Sequence, residues 1–78
     1  MDFPQYRKLS NGMVYYKITN NRNFVELQLV GTTVLQTITK AEKYPEILKI
    51  QDLLNEDKVY LKCESIDFNK IQNMLIKD

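Results

Sequence analysis

The sequence predicts an α+β fold: a four-stranded antiparallel meander, then a helix, a fifth strand and a C-terminal helix, with the helices packed on one sheet face. Three observations carry this. The first forty residues alternate with a period of two and are punctuated by Asn11-Gly12, Asn20–Asn23 and Gly31. From about Thr39 the apolar period lengthens to about 3.6, as a helix requires. No Gly/Pro/Ser-rich stretch or repeat divides the chain, so residues 1–78 read as a single domain.

The first hairpin rests on Asn11-Gly12. A two-residue type I′ turn needs positive φ at both central positions, which Asn tolerates and Gly adopts freely. Closing the turn there pairs Leu9 with Val14, Lys8 with Tyr15 and Arg7 with Tyr16. Residues directly opposite share a face. Leu9, Val14, Tyr16 and Ile18 therefore fall together, while Tyr6, Lys8, Tyr15 and Lys17 fall on the other side.

The second loop, Asn20–Asn23, has a turn-rich composition. If all four residues form it, Ile18 faces Val25, Tyr16 faces Leu27 and Val14 faces Leu29. Lys17 then meets Glu26, and Tyr15 meets Gln28. Gly31 with Thr32 supplies a third turn of type II′, pairing Leu29 with Val34, Leu27 with Gln36 and Val25 with Ile38. Strands are expected at about 6–10, 13–19, 24–30 and 33–38, with the β-branched and aromatic content that strands favour.

A sheet with one apolar face needs a second layer. Thr39-Lys40-Ala41-Glu42 matches a capping box. Pro45 cannot sit deep in a helix without removing an amide donor. A turn over 40–44 followed by a helix from Pro45 is thus favoured over one kinked helix. Ile47, Ile50 and Leu54 form its apolar stripe, flanked by Leu48 and Leu53. Val59–Cys63 alternates again, with Val59, Leu61 and Cys63 expected inward. This fifth strand fits either parallel to the fourth or antiparallel to the first. Ser65 or Asp67 then caps a last helix carrying Phe68, Ile71 and Leu75; with Asp67 as cap, Ile66 and Ile71 would form a hydrophobic staple.

Composition narrows function. The chain has no histidine, a single cysteine and a net charge of +1. Ser-His-Asp and Cys-His nucleophilic sites and four-cysteine zinc sites are excluded, and neither a strongly basic nucleic-acid binder nor an acidic tail is indicated. The carboxylates of Glu42 and Glu46, or Asp52 and Glu56, share a helix face, but they alternate with Lys43 and Lys49 as a solvated face does. The group Asp52, Asn55, Glu56 and Asp57 lacks the order of a calcium loop. Both glycines are used in turns, leaving none for a phosphate cradle. Cys63 reads as a small core residue. No catalytic residue, cofactor or metal is expected.

What remains is the face that the helices would leave open. There Tyr6 and Lys17, and Lys8 and Tyr15, form an aromatic–basic checkerboard, which Met13, Val30 and Leu35 extend with an apolar end. This set marks a small non-catalytic protein-interaction module, binding a protein partner or a second copy through its open sheet face or a strand edge. The alternative is single-stranded nucleic acid, with Tyr6 and Tyr15 as stacking platforms and Lys8, Lys17 and Arg22 following phosphates. No apolar run approaches the roughly 18–20 residues that span a bilayer, and Met1–Ser10 is too polar for the apolar segment of a signal peptide. With one unpaired cysteine, a cytoplasmic location is expected.

Overall fold

The computed structural model describes residues 2–55 and 59–74. In chain order the elements are β1 (Gln5–Leu9), β2 (Val14–Ile18), β3 (Asn23–Val30), β4 (Thr33–Lys40), α1 (Tyr44–Leu54), β5 (Tyr60–Lys62) and α2 (Ser65–Asn73). The sheet is antiparallel throughout, in the order β4-β3-β2-β1-β5. The fold class and the order of elements are those the sequence predicts. Of the two placements open to the fifth strand, the chain adopts the antiparallel one beside β1.

Two of the three hairpin registers agree with the sequence pattern. Arg7 lies opposite Tyr16 and Lys8 opposite Tyr15; Leu29 lies opposite Val34 and Val25 opposite Ile38. The turn chemistry of the first hairpin is different from a type I′ turn. Gly12 N–H donates to Leu9 O, Asn11 Oδ1 accepts from Met13 N–H, and Gly12 carries the positive φ of 74°. Gly31, at φ 61°, opens a two-residue connection as expected.

The β2–β3 register differs by one residue. Tyr15 faces Leu27, Tyr16 faces Glu26 and Ile18 faces Phe24, not Val25 with Ile18 or Leu27 with Tyr16. The loop is shorter than the four residues expected, because Thr19 N–H donates to Asn23 O. Asn20 Oδ1 closes it, accepting from Arg22 N–H at 2.8 Å and Asn23 Nδ2 at 3.0 Å, an Asx turn.

A slip of one residue exchanges a strand's two faces, and its effect here is large. Val25, Leu27 and Leu29 join Tyr6 and Tyr15 on one side, while Phe24 joins Val14, Tyr16 and Ile18 on the other. Both faces are then apolar, and each needs cover. The helices accordingly lie on opposite sides, correcting the expectation that they share one face. Ile50 and Leu53 of α1 pack with Tyr16, Ile18, Phe24 and Ala41. Phe68 of α2 packs with Leu27 and Val34, joined by Tyr6, Tyr15 and Ile71.

Helix α1 has Pro45 in its first turn, where the missing amide costs nothing. The acceptor at its start is Glu46 rather than the predicted Thr39–Glu42 pair, since Thr39 belongs to β4. Glu46 Oε1 accepts from Lys43 N–H at 3.1 Å and Glu42 N–H at 3.2 Å. These two bonds, Lys43 first, hold its carboxyl below the usual range. In α2 the cap position is Glu64, and Asp67 acts from inside the first turn, accepting from Glu64 N–H at 3.0 Å. The Ile66–Ile71 staple does not form, and Ile66 is exposed, because the helix starts earlier than an Asp67 cap requires. Leu75, Glu56 and Asp57 lie outside the described residues.

β5 inverts its expected inward set. Tyr60 packs into the α1-side core, whereas Val59 and Leu61 are exposed. Register explains this: Tyr60 lies opposite Leu9, which shares a side with Arg7 and thus with Tyr16.

Candidate functional site

The two edges of the sheet are unequal. β5, at one edge, has three residues; β4, at the other, has eight. Among the described residues no strand lies beyond β4. Antiparallel strands alternate bonded and non-bonded pairs, so the direction of each amide can be assigned. Leu29 N–H donates to Met13 O and Thr19 N–H to Asn23 O, which turns the odd positions of β3 toward β2. Its even positions then face β4, and Ala41 N–H donating to Arg22 O continues that series. The odd residues of β4 are thereby satisfied. The N–H and C=O groups of Val34, Gln36, Ile38 and Lys40 point outward.

Side chains along this edge leave it open. Thr33 to Thr39 contains no proline, charge or glycine, so the devices that normally blunt an edge are missing. Lys40 alone carries charge, and it sits at the strand end 3.8 Å from Glu42. Ile38, on the α2 side, is 73% exposed; Leu35, on the α1 side, is 50% exposed. Gln36 is held by Gln72 of α2 through Nε2–H donating to Oε1 at 3.2 Å.

The residues singled out from sequence are divided by the fold. Tyr6, Lys8, Tyr15 and Lys17 do form the expected checkerboard, and Met13 continues their alternation. That side, however, is occupied by α2. The Tyr6 ring lies 5.7 Å from that of Phe68, and Tyr15 packs on the same cluster. Neither ring is a bare stacking platform. Val30 and Leu35 fall on the opposite side because of the one-residue shift, and both are about half exposed. Ile38, which the sequence pattern assigned to the core, is the most exposed large apolar residue described. A charge-free, proline-free strand at the end of the meander was the available signal for this edge.

A second cluster has polar chemistry of its own. Lys49 Nζ donates to Tyr60 Oη at 2.6 Å and lies 5.2 Å from the centroid of the Tyr16 ring. Tyr16 is almost fully buried and lies opposite Glu26; burial first, then the charge of Glu26, pushes its hydroxyl well above the ordinary tyrosine value. Such a phenol stays protonated at neutral pH, and the cluster ties α1 to β2 and β5. Cys63 is half-buried, and burial, reinforced by Asp67, raises its thiol to about 11. A thiol held protonated is a poor nucleophile. Among the described residues no three metal-ligating side chains gather, and no helix is long and apolar enough to cross a membrane.

No known family model matches the chain, and neither a curated protein nor a solved structure is significantly similar to it.

Proposed function

We propose that this chain is a small non-catalytic protein-interaction module that binds by accepting a strand along the outer edge of β4. One observation carries the reading: eight residues of edge strand, without proline or internal charge, present outward amides at Val34, Gln36, Ile38 and Lys40. Strand addition draws its affinity from main-chain bonds and its selectivity from alternate side chains. Leu35 and Ile38 supply such side chains on either side of the edge. The half-exposed Val30 extends the Leu35 side. A cytoplasmic setting accords with the single unpaired thiol.

The test is capture of protein from native lysate by the intact chain and by two edge variants. Gln36→Pro removes an outward amide without touching the β3 ladder, and Ile38→Lys adds charge at an exposed position. Specific partners should be lost from both and kept by Tyr44→Ser, which alters an exposed ring at the start of α1. Amides of Val34, Gln36 and Ile38 should exchange more slowly in the complex. Capture that survives both edge substitutions would sink the reading.

A further inference from the structure

We infer that the strand accepted by β4 is β4 of a second copy, paired antiparallel about a two-fold axis at Gln36. This rests on the edge reading above and names its occupant. Because the outward amides belong to even-numbered residues, two such edges bond only in registers that set even opposite even. Centring the axis on Gln36 places Val34 opposite Ile38 of the second copy, and Ile38 opposite its Val34. Between these pairs, Gln36 meets its own counterpart.

On the other side Leu35 meets Thr37 and Thr33 meets Thr39. Apolar residues therefore oppose apolar residues where Ile38 is otherwise 73% exposed, and no like charges meet, since Lys40 lies beyond the central pairs. Moving the axis to Thr37 sets Val34 against Lys40 and Ile38 against Gln36, losing both matches. Moving it to Ile38 sets Gln36 against Lys40 and leaves Val34 opposite Glu42, outside the strand.

A two-fold perpendicular to the sheet keeps each face continuous. The product is a sheet of twice five strands, with both α1 helices on one side and both α2 helices on the other. With a net charge of +1 per chain, two copies repel little. A single strand-to-strand seam is smaller than the roughly 1,200–2,000 Å² of a stable complex, so a dissociation constant in the micromolar range or weaker is expected.

Sedimentation of the full chain across the micromolar range should show a reversible monomer–dimer equilibrium. Ile38→Lys, whose effect enters twice, should weaken it about tenfold or more, with unchanged circular dichroism. Register is read by cysteine pairing in a Cys63→Ser background. Directly opposed residues sit about 5.5 Å apart between Cα atoms, within disulfide reach. Gln36→Cys should therefore oxidise to a covalent dimer. Ile38→Cys should not, because its counterpart lies more than about 13 Å along the strand.

A chain that stays monomeric throughout, or one in which Ile38→Cys links as readily as Gln36→Cys, overturns the self-pairing. The edge reading then stands or falls separately. Edge-dependent capture of a different protein keeps it, and its absence removes both.

Discussion

Among the described residues Arg7 is the one charged residue in the buried set, and its environment shows how a single side chain can finish a helix. The residue is 3% exposed, with Nε–H donating to Leu53 O at 2.8 Å, Nη1–H to Tyr6 O at 2.8 Å and Nη2–H to Gln5 Oε1 at 2.7 Å. The last turn of α1 has no basic residue of its own, so a cation from β1 meets its negative end. Arg7→Met should cost about 2 kcal/mol, because it leaves a buried carbonyl unpaired. Arg7→Lys should recover little, lacking the planar fork. Urea unfolding checks both, and a methionine variant as stable as the parent would remove this account.

Tyr16 is a second case. Its folded-state pKa lies above the ordinary 10.0. Its contribution to stability is thus fully present below pH 10 and is lost as pH rises toward the folded value, since the unfolded chain ionises first. Tyr16→Phe should cost about 1 kcal/mol at neutral pH through the lost polar interaction of its hydroxyl with Glu26, and it should flatten the alkaline fall in stability. Equal slopes for parent and variant between pH 9 and 11 would count against the mechanism.

At the scale of elements, the informative connection is the loop between β2 and β3. The β1–β2 and β3–β4 registers were readable because Asn11-Gly12 and Gly31-Thr32 mark where each hairpin closes. The β2–β3 loop carries no such marker, and apolar matching alone sets Val25, Leu27 and Leu29 opposite Ile18, Tyr16 and Val14, whereas they face Lys17, Tyr15 and Met13. Cross-strand matching favoured the other register because it assumed one buried face, and here both faces are covered by a helix. A side-chain bond decides between them, through Asn20 Oδ1, and that bond is a property of one residue rather than of a pattern. Asn20→Ala should therefore destabilise the fold by about 1 kcal/mol, while Asn21→Ala should be close to neutral. Thermal unfolding of the pair tests this, and equal effects would show that the Asx turn does not set the register.

The helices follow the same logic. Their apolar stripes were visible from spacing, as Ile50, Leu53 and Phe68 in the core show. Their sides of the sheet were not, because sidedness was inherited from the β2–β3 register. The candidate surface changed for the same reason. Met13, Val30 and Leu35 are half exposed as expected, but Met13 is on the α2 side and Val30 and Leu35 on the α1 side, and Ile38 joins the exposed set.

Across the whole molecule, the shift makes a two-layer expectation into three layers. The chain passes from the α1 side to the α2 side around β5, the short edge. A five-stranded sheet with one helix per side leaves its outermost long strand poorly covered: only Val34 of β4 is buried. Openness is thus confined to one margin. The opposite margin is a strand of three residues, whose odd-numbered neighbours Val59 and Cys63 bond to β1. That asymmetry sets a valence. A sheet that can extend in one direction only can join one neighbour and then has no long margin left to offer. Association through β4, as proposed, would terminate where it begins, and the same exposed strand would not propagate into a fibre.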